Sequence, residues 1–160
     1  MPIMLTSEME RVLAFRDGSV LTKSSILKSE HFPLLAKTSA LPLQVHGAPN
    51  FRKTADNICG VAQPSVSGLH AIYQLLPKTS RPVWMCIRDE PVVYLDGMPF
   101  VLRDADEPLQ NMRAFSGISA ERVETLEERL VADIKSELAS NNSLLVIHEE
   151  QGTFRMFNRL

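Results

Sequence analysis

PVWMCIRDEPVVYLDGMPFVLRD, residues 82–104, sets two apolar runs on either side of a charged triplet. Val83-Trp84-Met85-Cys86-Ile87 is short and rich in β-branched and aromatic residues. Such a run predicts a strand buried on both faces, as in the interior of a parallel sheet. It hands over Arg88-Asp89-Glu90 at its carboxyl end, where ligands bind in open α/β sheets. Val92–Leu95, then Asp96-Gly97, then Phe100–Leu102 predict a β-hairpin over 91–103, because an Asp-Gly pair accepts the positive φ that a tight turn requires. Pro99, which lacks an N–H, suits an edge strand better than a central one.

Outward from this stretch the pattern is α/β. Ile58–Ala62 predicts a strand. Ser65 is a suitable N-cap for a helix over 65–76, with Leu69, Ile72, Tyr73 and Leu76 on one apolar face and Pro77 as its stop. A second helix over 119–140 carries the stripe Val123, Leu126, Leu130, Ile134 and Leu138. Its solvated side is Glu124, Glu127, Glu128, Arg129 and Lys135. Asn141-Asn142 ends it and Ser143–His148 returns as a strand. The expected architecture is a parallel core of strands near 58–62, 83–87 and 144–148, flanked by helices. Nearer the start, Ser7–Phe15 predicts a short helix, and Val20-Leu21 and Ile26-Leu27 predict short extended pieces. The stretch from His31 to Pro42 reads as irregular.

Composition narrows the function classes. A chain of 160 residues with 44% hydrophobic and 22% charged residues can bury a core of its own. A net charge of −2 gives no general attraction to nucleic acid or anionic membranes. No apolar run is long enough to span a bilayer, and the start lacks the pattern of a secretory signal. A reducing, cytoplasmic setting is expected, with Cys59 and Cys86 as buried small hydrophobes. His31, His46, His70 and His148 are isolated from other ligand types, so no metal and no cofactor is expected. Phosphate loops of the Walker and dinucleotide kinds and the Gly-x-Ser-x-Gly elbow are absent.

Arg88 and Glu90, at the predicted strand end, are the candidate site residues. An arginine fork matches phosphate geometry, and the same residues also suit an ion-pair cluster that fixes the hairpin. His46, Arg52 and Lys53 are further positive groups in loops. The Gln63-Pro64-Ser65 corner is a helix N-terminus of the kind that meets anions. His148, followed by Glu149 and Glu150, ends a strand.

Several segments carry a resemblance in the right order. They are Gly18–Leu21 with Ile26–Pro33, Gly47–Arg52, Gly60–Ser65, and Arg88-x-Glu90-Pro91 with Tyr94, Gly97, Pro99 and Leu102-Arg103. Arg122-Val123-Glu124 and Ile147–Glu150 complete the series. From about Gly18 to Glu150 the chain resembles a unit of the paladin family, which is similar to cysteine phosphatases of tyrosine-phosphatase and phytase-like fold. The resemblance implies an N-terminal extension over 1–17 and the N-terminal portion of one phosphatase unit over 18–160.

Such phosphatases use Cys-x5-Arg, whose thiolate attacks phosphorus while loop amides and the arginine hold the phosphate oxygens. Here Ser65 stands six residues after Cys59, and Val92 six after Cys86. No catalytic residue is therefore assigned, and the resemblance implies only that Arg88 and Glu90, as family-motif residues, lie near the substrate side. The expectation is a phosphatase segment inactive by itself, or a non-catalytic module that binds a protein or a phosphorylated ligand. An open sheet edge would add self-association.

Overall fold

A computed structural model describes residues 6–30, 45–54, 57–79, 81–149 and 153–157. Residues 31–42, read above as irregular, lie outside them. In chain order the elements are α1 (Ser7–Phe15), β1 (Ser25–Ser29), β2 (Arg52–Lys53), β3 (Cys59–Gly60), α2 (Val66–Leu75), β4 (Val92–Leu95), β5 (Met98–Asp104), a 3-10 turn (Arg113–Phe115), α3 (Ala120–Ser140), β6 (Leu145–Glu149) and β7 (Thr153–Phe157). The chain is mixed α/β, as expected, and divides into two compact units. The first holds Met1–Ser29, Arg88–Asp96 and Phe100–Leu160, and the second Glu30–Ile87 and Gly97–Pro99.

The first unit is built on a sheet of order β4-β5-β1-β6-β7. β1 lies in its middle. It runs antiparallel to β5, from Ser25↔Asp104 to Ser29↔Phe100, and parallel to β6 at Lys28↔His148. β6 pairs antiparallel with β7. The hairpin of β4 and β5 forms as predicted. Its turn residues Asp96 and Gly97 have φ of 50° and 72°, and glycine takes the second at no steric cost.

β5 is an inner strand, which corrects the edge expected from Pro99. The proline lies one residue beyond the ladder with β1, where no donor is needed. Its carbonyl accepts the Glu30 N–H at 3.1 Å.

The helices of this unit are capped by their sequence. Thr6 accepts the Met9 N–H at 3.3 Å, and Ser119 accepts the Arg122 N–H at 3.3 Å. Met9 and Val12 of α1 pack with Val146 of β6. On α3, Leu126, Leu130, Ile134 and Leu138 are buried as their spacing predicts, and Val123 is half-buried.

Two half-buried acidic residues of α3 accept backbone N–H groups. Glu127, expected on the solvated side, accepts the Val92 N–H at 2.9 Å. Burial raises its pKa; the Val92 donor opposes this and the nearby charge of Glu124 adds to it. Asp133 accepts the N–H groups of Val20 at 2.6 Å and Leu21 at 2.9 Å. Partial burial works against its charge, yet the donors of Leu21, Val20 and Ser19 outweigh it and hold the carboxyl below its ordinary value.

Arg16 follows α1 and is 3% exposed. Its guanidinium grips Glu137 of α3 through two bonds of 2.6 and 2.7 Å. It also donates to the carbonyls of Ser25 in β1, at 3.1 Å, and Val146 in β6, at 3.0 Å. One side chain thus ties together four elements, with its charge matched and its donors used.

The second unit has a small ribbon in which β2 runs antiparallel to β3, Arg52 opposite Gly60 and Lys53 opposite Cys59. Its core is Val45, Ala48, Phe51 and Ile72, with Cys59, Val61 and Ala71 beside it. Ser65 caps α2 as expected: its hydroxyl accepts the Gly68 N–H at 3.1 Å and donates to the Gly47 carbonyl at 3.2 Å. Gly68 is required there, because a Cβ would sit 1.9 Å from the Gly47 oxygen.

The predicted parallel core of 58–62, 83–87 and 144–148 is corrected. The third strand forms, as β6, with Leu145–His148 buried. Its two neighbours, however, are β1 and β7, so both flanks of β6 are filled. Residues 58–62 contribute β3 to the local ribbon, where closing a short loop costs less entropy than a distant pairing. Residues 83–87 form no strand and are exposed, and Cys86 with them, against the expected burial; Cys59 is half-buried. The apolar face predicted for α2 is likewise open, for of Leu69, Ile72, Tyr73 and Leu76 only Ile72 is buried.

Candidate functional site

The charged triplet after residue 87 enters the first unit at the start of the hairpin. Glu90 is buried, at 3% exposure, and its carboxylate sits between two guanidinium groups. Arg88 pairs with one of its oxygens through Nη2. Arg103 pairs with the other through Nη1 and reaches back to the first through Nη2 at 3.3 Å. Arg103 also donates to the Leu102 carbonyl at 3.3 Å. Asp89 points elsewhere, toward Asn111 Nδ2 at 3.5 Å and the Gly117 N–H at 3.4 Å.

Strand register explains why these groups meet. Arg103 pairs with Ile26, and Lys28 pairs with Val101 on one side and with His148 on the other. Directly opposed residues project to the same face of a sheet. Arg103, Lys28 and His148 therefore share one face, and all three are buried. Arg88 and Arg103 set two guanidinium groups on the one carboxylate of Glu90. Neither cysteine belongs to this unit.

The structure thus joins the predicted Arg88 and Glu90 directly and adds Arg103, with Lys28 and His148 on the same sheet face as Arg103. Arg103 stands in the resemblance to the paladin family, but its role as the second clamp on Glu90 depends on strand register. Lys28 lies in the Ile26–Pro33 stretch of the same resemblance, but a lone lysine inside Ile-Leu-Lys-Ser reads as a solvent-facing strand position.

His46, Arg52 and Lys53 belong to the second unit and are exposed there. The anion corner expected at Gln63-Pro64-Ser65 is spoken for by the chain itself. The Val66 N–H donates to the Gly97 carbonyl at 2.9 Å and the Gly68 N–H to Ser65. Among the described residues no group of three or more His, Cys, Asp or Glu side chains is arranged to hold a metal. Nor is any described helix long and apolar enough to cross a membrane.

Burial lowers the pKa of His148, and the positive charge of Lys28 lowers it further. A histidine whose folded value lies below its unfolded value supports stability above the unfolded value, near 6.5, and that support is lost as pH falls through the folded value. The melting temperature of the wild type is accordingly expected to fall more steeply between about pH 7 and pH 5 than that of His148→Gln. Parallel curves in scanning calorimetry would contradict this.

Residues 85–159, a little under half of the chain, match the family model of tyrosine-phosphatase-like phytases, described by the words inositol hexakisphosphate. No curated protein and no solved structure gives a match. From the end of the apolar run through β7, including Arg88, Glu90, Arg103 and His148, the chain is similar to a phytase-like domain of tyrosine-phosphatase type.

Proposed function

We propose that residues 18–160 form the N-terminal portion of a paladin-type phosphatase unit, preceded by an extension over 1–17. In this reading the chain is a cytoplasmic scaffold that presents Arg88 and Glu90 to a phosphorylated ligand and does not cleave phosphate esters by itself. The observation that carries the reading is the buried Glu90 held by Arg88 and Arg103, within the segment similar to phytases. A guanidinium oriented by a buried carboxylate is preorganised to meet a phosphate oxygen.

Cleavage needs more than that arginine. The thiolate must lie at the floor of a ring of amides. Cys86 is exposed in a segment without regular structure, Cys59 is half-buried in a two-residue strand, and neither has an arginine six residues on. Turnover of phosphotyrosine or an inositol phosphate would then require a Cys-x5-Arg loop supplied from outside these residues.

The test is phosphate release by the 160-residue chain from a phosphotyrosine peptide and from inositol hexakisphosphate, with and without vanadate. No release above the buffer blank is expected. Vanadate-sensitive release that disappears in Cys86→Ser or Cys59→Ser would refute the proposal. A second reading, a non-catalytic interaction module, is favoured by the exposed apolar run of the second unit.

A further inference from the structure

α3 carries a second stripe beside its buried one. Glu124, Glu127, Glu128 and Val131 stand at i, i+3, i+4 and i+7, so they share one helical face. That face is not packed away. Glu124 and Glu128 are exposed, Glu127 is half-buried, and Val131 is 39% exposed. Beside it lies β4, the end strand of the sheet, with Val92 half-buried and Tyr94 42% exposed. These residues line a groove of about 580 Å³, within the size range of ligand sites.

The groove is one-sided in charge. Its lining holds three carboxylates and no basic residue. Among the described residues the side chains of Glu124 and Glu128 make no hydrogen bond and no ion pair. Like charges one turn apart on a helix are destabilising. Burial, and then the charge of Glu124, also raise the Glu127 pKa against the Val92 donor. The fold carries this repulsion without a countercharge of its own in the groove.

The remainder of the lining decides which cation fits. A bare metal ion would gain nothing from Val92, Tyr94 and Val131. Among the described residues no group of three or more His, Cys, Asp or Glu side chains is arranged to hold one. A lysine or arginine side chain matches both parts of the groove. Its aliphatic stem covers apolar surface while its head reaches the carboxylates, and that head is attracted to the face of a tyrosine ring. Spacing selects the backbone. Glu124 and Glu128 are about 6 Å apart along the helix axis. Alternate side chains of an extended segment, which point to the same side, are about 6.5 Å apart. Nucleic acid and anionic lipid are repelled by the same carboxylates.

We infer that the groove between α3 and β4 docks an extended polypeptide segment with Lys or Arg at alternate positions, the basic heads meeting Glu124 and Glu128 and a stem lying on Tyr94. Arg88, Glu90 and Arg103 take no part, so the docking stands or falls apart from the function proposed above.

Fluorescence anisotropy at low ionic strength tests it, with the whole 160-residue chain and a dye-labelled Lys-Ala-Lys-Ala-Lys peptide as probe. Saturable binding that weakens as salt is added is expected. The same peptide with its lysines acetylated should not bind. Lys-Lys-Ala-Ala-Lys, of equal charge but with no alternate pair, should bind about threefold or more weakly. Glu124→Gln with Glu128→Gln should weaken binding of the first peptide by about five- to tenfold. Tyr94→Ala should weaken it by about two- to fivefold. Glu8→Gln with Glu10→Gln removes the same charge from the exposed side of α1 and should leave binding unchanged. Absence of saturable binding would overturn the inference. So would equal binding of the acetylated or the rearranged peptide, or an α3 variant that binds no more weakly than the α1 variant.

Discussion

Glu137→Leu is expected to remove about 3–5 kcal/mol of unfolding free energy, the usual cost of leaving a buried charge without its partner. The cause is specific. Arg16 would keep its bonds to the Ser25 and Val146 carbonyls but lose two bonds of 2.6 and 2.7 Å to a carboxylate. Both side chains are almost wholly inaccessible to water, so solvent cannot replace the lost countercharge. The double variant Arg16→Met, Glu137→Leu should recover most of the loss, because apolar replacement of a whole buried pair is often neutral. Urea unfolding of the two single variants and the double variant measures this. A single variant within about 1 kcal/mol of the wild type would show that the pair contributes little.

Glu90→Gln carries an effect of the same size, about 3–5 kcal/mol, with a functional signature besides. The carboxylate holds Arg88 and Arg103 together, and the amide would leave two guanidinium groups side by side with no charge between them. An added oxyanion then finds two guanidinium groups whose charge the isosteric amide no longer neutralises. Inositol hexakisphosphate or inorganic phosphate is expected to raise the melting temperature of Glu90→Gln more than that of the wild type. Equal shifts would mean that the arginines serve the hairpin alone. Differential scanning fluorimetry across a ligand series reads both the loss and its rescue.

What was legible in the sequence is what short-range chemistry decides. Asp96-Gly97 determines its hairpin through two local φ angles. Ser65 and Ser119 cap their helices through one hydroxyl each, and the stripe on α3 repeats over more than four turns. β1 was far less legible. Its Ser25-Ile26-Leu27-Lys28-Ser29 is mostly polar by count, yet it occupies the middle of the sheet with Ser25 and Lys28 buried. The short extended piece expected at Ile26-Leu27 forms as β1, but nothing local marks its central place, because its partners β5 and β6 lie far along the chain.

The apolar run 83–87 misled for the complementary reason. Hydrophobicity says that a segment gains from burial, not which neighbour will cover it. At the candidate site the charges of Arg88 and Glu90 stood out at a predicted strand end. Arg103 joined them only through register, which periodicity does not specify.

The parallel contact of Lys28 with His148 bears on how the molecule is made. β1 leaves the ribosome some 120 residues before its neighbour β6. At about 5–20 residues per second that interval is roughly 6–24 seconds. Through that time a nascent strand that ends as the centrepiece of the sheet has no companion on one side. Newly synthesised chains should therefore depend on chaperone protection during translation, and refolding of the finished polypeptide should be slow for its size.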